Sequence, residues 1–165
     1  MIYIDTCIIS GLVRNDIQPN ELNSLNILLK SFEFGLINLT TSEITRLELD
    51  KIPEQYKEPH IELYKNFENI PLVKTFSHIS RMTLLGVGGG TRIDPLYLSL
   101  QNILPDENDI LHLFQAAKNG ATTFLTVDAR TILKYKDEIK NICGLQTMTP
   151  NDYHTKYLND KKQLD

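Results

Sequence analysis

MIYIDTCIISGL, residues 1–12, is the stretch on which the fold turns. Ile2 and Ile4 share one face of a strand and Tyr3 takes the other, because successive side chains alternate across a strand. The apolar run ends at Asp5, and a helix is predicted over about 6–13. A carboxylate where a buried strand ends is either a turn residue or one wall of a site. Which of the two it is depends on whether other acids reach the same edge.

Beyond that strand, Pro19-Asn20 opens a second helix. Its Leu22, Leu25, Leu28, Leu29 and Phe32 recur at helical spacing, and Gly35 stops it. LINLT (36–40) reads as a strand, and Thr41 or Ser42 caps a helix carrying the apolar positions Ile44 and Leu47 together with Glu48. Pro53 interrupts it, and a more polar helix is expected over 54–67. NIPLVKTF (69–76) has strand character, and SHISRMTLLG (77–86) suits a short helix ending at glycine. GVGGGTRIDP (86–95) reads as a flexible loop, since its glycines fit neither a Walker loop nor a GxGxxG turn before a helix. Pro105-Asp106 starts the helix DENDILHLFQAAKNG, closed by Gly120, and the β-branched strand ATTFLTVD (121–128) again ends in aspartate. A helical piece through Ile132 and Ile139 leads to a last strand, LQTMT (145–149), and then to the polar tail NDYHTKYLNDKKQLD. Strands alternate with helices, and no repeat or linker divides the chain. This predicts one α/β domain over 1–150, its central sheet mostly parallel and flanked by helices, with a tail over 151–165 packed on it or trailing from it.

The bulk numbers agree with a globular chain. Its 165 residues fit one domain with a real core, and 41% hydrophobic with 23% charged residues is an ordinary balance. No apolar run approaches the ~18–20 residues that span a bilayer, and no basic segment precedes the first one, so neither membrane nor secretory signal is expected. Cys7 and Cys143 form no metal-type pair or disulfide framework and are expected to be small core residues in a reducing, cytoplasmic compartment. A net charge of −4 tells against holding nucleic acid by overall charge. Such a role needs local cations, or a metal that offsets clustered acids.

In parallel α/β sheets, sites form beyond the carboxyl ends of the strands, where Asp5 and Asp128 both fall. Glu48, one turn beyond Ile44, belongs at the margin of its helix's buried face, and Asp109 lies in the first turn of a helix that buries Leu113, Ala116 and Ala117. Two strand ends and two helices could therefore bring four carboxylates around one crevice. Two like charges ~5 Å apart repel by roughly 3 kcal/mol at an effective dielectric near ~20, so such a group must protonate, spread, or share a cation. Oxygen donors without His or Cys suit Mg²⁺ or Mn²⁺ rather than Zn²⁺, and this is the chemistry of phosphodiester hydrolysis.

The pattern resembles the PIN-domain ribonucleases over most of the chain. IDTC supplies a strand ending in Asp5 with Thr6 after it, ITRLEL supplies the helical Glu48, NDILHLFQAAKNGA supplies Asp109 with Ala116, and FLTVDAR supplies Asp128. Each motif is weak alone; four in the right order are fairly specific. The resemblance implies a three-layer PIN-like fold and a Mg²⁺- or Mn²⁺-dependent endoribonuclease. Asp5, Glu48, Asp109 and Asp128 would hold the metal, with Thr6 and Thr126 as supporting hydroxyls. It further implies a place among VapC-like toxins, with a small antitoxin protein as partner and a homodimer as a common state of the family.

Competing assignments share the same residues. Asp106 can cap its helix and leave Asp109 as a first-turn acid favoured by the dipole, and Asp106 or Glu107 can take Asp109's place in the site. Glu43 needs no site role so early in its helix, whereas the dipole disfavours an acid as late as Glu48. Asp128 can be a cap alone. Among Arg14, Arg46, Arg81, Arg92 and Arg130, the candidate phosphate contacts favoured by position are Arg46, near Glu48, and Arg130, near Asp128. His60, His78, His112 and His154 show no ligand spacing, although His112 lies one turn from Asp109. Two rival functions remain. One is a phosphatase with Asp5 as nucleophile, which usually carries a second acid where this chain has Cys7. The other is a non-catalytic binding module on the same fold.

Overall fold

The computed structural model describes residues 1–84 and 87–158, and of residues 80–84 and 87–91 the backbone course only. At its centre is a four-stranded sheet built from β1 (Ile2–Ile4), β2 (Leu39–Thr40), β5 (Thr123–Leu125) and β6 (Gln146–Met148), in the order β2-β1-β5-β6. Every pair in it is parallel, with Tyr3 beside Thr40 on one flank and Phe124 on the other. The α/β class, the parallel sheet and its helical flanks are as the alternating pattern predicts.

The two faces of the sheet carry two cores. Ile2 and Ile4 pack with Ile8, Ile9 and Leu12 of α1 (Thr6–Arg14) and with Leu25, Leu28 and Leu29 of α2 (Pro19–Glu33). On the opposite face Tyr3 stacks on Phe124 at 5.2 Å between ring centroids. Around that pair gather Tyr97 and Leu100 of α6 (Pro95–Gln101), Leu113 and Phe114 of α7 (Glu107–Lys118), and Ile139 of α8 (Lys136–Cys143). Both faces are thus covered, as parallel strands require. Each fully buried Leu or Phe adds about 2 kcal/mol of burial.

Between β2 and the hairpin described below lie α3 (Glu43–Asp50), α4 (Glu54–Lys57) and α5 (Ile61–Glu68); a 3-10 turn at Glu58–His60 divides α4 from α5 where one continuous helix is predicted. The buried side of α3 is Thr45 and Leu49, with Glu48 half-buried, whereas Leu47 is 55% exposed and not part of the buried face. NIPLVKTF contributes one parallel bridge, Leu72 beside Thr41, rather than a strand. Thr41 N donates to Pro71 O and Val73 N to Thr41 O, but Pro71 has no N–H with which to carry the ladder further.

The larger correction concerns 77–95. The short helix and flexible loop predicted there are instead an antiparallel hairpin, β3 (Ile79–Leu84) and β4 (Val87–Ile93), with Ile79 opposite Ile93, Leu84 opposite Val87, and a register shift between Met82 and Leu84. The ladder is made by backbone groups, so a glycine run can enter it without any side-chain periodicity. Leu85 and Gly86 lie outside the described residues. α6 then starts where Asp94 accepts a hydrogen bond from Leu96 N at 2.9 Å and Pro95 takes the first helical position, a signature of a helix start that the loop reading passes over.

The tail folds back. α9 (Pro150–Tyr153) and a wider turn over His154–Leu158 pack Tyr153, Tyr157 and Leu158 against the α1/α2 core, and Ser24 and Glu21 of α2 both bond to Asn151. The remainder of the tail lies outside the described residues.

Candidate active site

Asp5 prolongs the ladder one residue beyond β1, its N–H bonded to Leu125 O at 3.0 Å. It occupies the N-cap position of α1, yet its carboxylate does not cap the helix and is 3% exposed. Oδ2 accepts from Thr126 Oγ1 at 2.8 Å. The same hydroxyl accepts the Asp128 N–H at 3.1 Å. Its single proton is committed to Asp5, so the Cys7 thiol donates to it at 2.9 Å, and Cys7 Sγ in turn accepts the Val127 N–H at 3.3 Å. Burial, then the charge of Asp5, pushes the Cys7 thiol well above its ordinary value. Cys7 therefore belongs to the site's scaffold as a protonated donor, rather than to the core alone.

Asp128 stands past the end of β5 and closes a turn: its Oδ1 accepts from the backbone amides of Arg130 at 2.8 Å and Thr131 at 2.9 Å. Burial pushes this carboxyl up. The Thr131 contacts, the Arg130 amide and the Arg130 charge outweigh that and leave it below an ordinary aspartate.

Asp109 comes from the first turn of α7, where Asp106 is the N-cap, accepting from Asn108 N at 2.9 Å and Asp109 N at 3.2 Å. Asp106 is thus the cap, while Asp109 still faces the site. Its pKa is raised to about 6, first by burial and then by the charges of Asp5, Asp106 and Asp128, against a lowering from the Thr131 hydroxyl. That hydroxyl neighbours the Asp109 and Asp128 carboxylates but has no hydrogen bond of good geometry.

Glu48 meets a different neighbour. His112 Nε2 lies 3.9 Å from Glu48 Oε2 and, ahead of burial, which opposes it, draws the Glu48 pKa down. His112 is buried between three elements, with Tyr3 Oη 2.8 Å from Nδ1 and Thr6 Oγ1 3.2 Å from Nε2. Burial raises the Tyr3 phenol, so it keeps its proton and donates to Nδ1; Nε2–H then faces Thr6 and Glu48, a tautomer assigned from the partners. Thr6 also bonds Thr45 of α3 at 3.1 Å.

All four predicted acids line one cleft of about 380 Å³ at the carboxyl edge of the sheet, joined there by Asp106 and by two cations, Arg14 and Arg130. Among the described residues, no three His, Cys, Asp or Glu side chains are grouped closely enough to hold an ion at once. The donor set is nevertheless what a hard divalent cation takes, and five acids against two arginines leave an unbalanced negative charge. Asp109 feels the charges of Asp5, Asp106 and Asp128, while Glu48 is paired with His112.

Of the two hydroxyls predicted to support the acids, Thr126 donates to Asp5, and Thr6 sits between Thr45 and His112. Arg46 is a correction: its Nη2 donates to Ile70 O at 3.0 Å, tying α3 to the end of α5, and it does not line the cleft. The side chain of Arg81 lies outside the described residues. Ser10, Asn108 and Thr131 line the cleft unannounced by any motif, though Thr131 stands three residues after Asp128 and Asn108 one before Asp109. Comparison with protein-family models, curated proteins and solved structures finds no match for this chain, so the reading of the cleft rests on its own residues.

Proposed function

We propose that the chain is a Mg²⁺- or Mn²⁺-dependent endoribonuclease, and the observation that carries this reading is the convergence of Asp5, Glu48, Asp109 and Asp128, from four separate segments, on one cleft. Asp5, Asp109 and Asp128 would hold the cation, with Glu48 as the outer acid. A bound divalent ion supplies a more acidic water and neutralises charge developing on a phosphate. The chain's own residues do the rest. Arg14 and Arg130 bind phosphate oxygens, Thr126 fixes the Asp5 carboxylate, and His112 fixes Glu48. The resemblance adds a small antitoxin that covers the cleft. Finding a short DNA-binding protein encoded in a neighbouring reading frame would support that addition, and its absence would count against it.

Asp5→Asn is expected to abolish metal-dependent cleavage of RNA while circular dichroism and melting remain those of a folded chain; undiminished cleavage overturns the reading. A second reading, a non-catalytic RNA-binding module, is favoured by one observation: as arranged, no three acids are grouped tightly enough for an ion. Calorimetry with Mn²⁺ separates the two. Heat that Asp5→Asn removes supports the nuclease, and silence at millimolar Mn²⁺ supports the module.

A further inference from the structure

We infer that Tyr3 is a positioning residue of the cleft: through His112 it sets the direction of the Glu48 carboxylate, so that β1 governs Glu48 as well as Asp5. This rests on the nuclease reading for the step it serves and adds to it the group that aims the outer acid. Tyr3 is 0% exposed and reads in the sequence as one more core side chain on the Phe124 face of the sheet. Packing accounts for its ring, which lies 9° from parallel with Phe124, and a phenylalanine would fill that space equally. Packing does not account for the hydroxyl.

The hydroxyl enters a polar group buried where β1, α3 and α7 meet. Thr6, Thr41, Ser42, Thr45 and His112 are all buried there with it, and Ser42 Oγ has no hydrogen bond at all. Polar atoms out of reach of water are costly, and where they pair they fix one arrangement. The Tyr3 phenol has a single proton, given to His112 Nδ1 at 2.8 Å, which leaves the ring's own proton on Nε2. Nε2 lies 3.2 Å from Thr6 Oγ1 and 3.9 Å from Glu48 Oε2. With its proton on Nε2 the ring attracts the carboxylate; with the proton on Nδ1 it would turn a lone pair toward it. The phenol therefore decides which of the two Glu48 meets.

The consequence reaches the geometry of the site. Asp5 follows Tyr3 by two residues on the same extended backbone, so both side chains leave the same side of the strand. Asp5 is placed by the strand itself, and Glu48, on α3, is placed by it at second hand. The Glu48 side chain is 33% exposed, so without the ring proton it has water to turn to. Thr6, next in the chain after Asp5, closes the arrangement by bonding both Thr45 of α3 and His112.

The test uses the full chain, first without metal. At about pH 8, where an ordinary imidazole is neutral, long-range proton–nitrogen NMR is expected to show His112 protonated on Nε2, and Tyr3→Phe to populate both tautomers. The carboxyl carbon resonance of Glu48 is expected to move in Tyr3→Phe while that of Asp128 stays. A proton on Nδ1 in the unaltered chain overturns the inference without recourse to a variant, and so does an unmoved Glu48 resonance in Tyr3→Phe. Cleavage of RNA with Mn²⁺ reads the consequence: Tyr3→Phe is expected to lower kcat about tenfold at unchanged KM. In a Glu48→Gln background the same change is expected to cost less than about twofold of the residual rate. An undiminished kcat, or a tenfold loss that persists in that background, overturns the inference and leaves the nuclease reading standing. No cleavage by the unaltered chain with Mg²⁺ or Mn²⁺ overturns the nuclease reading alone, and the two NMR readouts then decide whether Tyr3 aims Glu48.

Discussion

At the scale of single residues, Asp109 is the group in which the site's electrostatics can be read directly. Its folded pKa of about 6 stands above the unfolded aspartate value of ~3.9. The folded chain therefore binds this proton more tightly than the unfolded chain. Its contribution to stability is fully present below about pH 4 and is lost as pH rises through about 6. Asp109→Asn should thus make the metal-free protein more stable at pH 7, by roughly 1–2 kcal/mol once solvent screening of a half-exposed group is allowed for. The difference should vanish below pH 4. Urea denaturation at the two pH values in the presence of a chelator checks it, and a variant less stable at pH 7 would show that the carboxylate is a structural partner instead of a strained neighbour. Thr126 is the complementary case. Its one hydroxyl proton serves Asp5 and its lone pairs receive Asp128 N–H and Cys7, so its identity follows from partners on two segments of the chain.

At the scale of elements, α7 brings both a cap and an acid to the cleft, and the two roles are separable. Asp106 satisfies the amides of Asn108 and Asp109 while its charge helps raise Asp109. Asp106→Ala should cost about 1 kcal/mol through the lost cap. Asp106→Asn, which caps equally well, should keep the stability and bring the Asp109 pKa down, as carboxyl chemical shifts followed against pH would report. The same element shows what a sequence does and does not reveal. The start of α7 at Pro105-Asp106 and its end at Gly120 are legible because caps and stops are local. The hairpin at Ile79–Ile93 is not legible, because glycines meet their partner strand through backbone groups and leave no periodic signal. Nor is the division of 54–67 into α4 and α5, whose 3-10 turn is centred on Pro59.

Across the whole molecule, the parallel sheet delivers acids from distant segments to one edge, where burial and neighbouring charge raise Asp109. A cation bound only by the folded state stabilises it by RT ln(1 + [L]/Kd), about 2.7 kcal/mol at 100 times Kd. Saturating Mn²⁺ should therefore raise the melting temperature by roughly 5–10 °C for a chain of this length. A chelator should reverse the rise, and Asp5→Asn should remove most of it. A melting temperature indifferent to Mn²⁺ would place the chain with the binding-module reading. Among the described residues no helix is long and apolar enough to cross a membrane.

By itself the sequence determined the class of the fold and the candidates for its chemistry. Alternating elements, the Ile2/Ile4 and Tyr3 faces of β1, and acids at strand ends and in early helical turns are properties of a few consecutive residues. Tertiary structure alone decided which candidates work together. It turned Glu48 toward His112, bound Arg46 to a backbone carbonyl, made Arg14 a wall of the cleft and placed a second cavity, of mixed polar and apolar lining, beside the acids. Periodicity and capping are written along the chain, whereas hydrogen bonds and charge pairs depend on which residues of other segments come within a few ångströms.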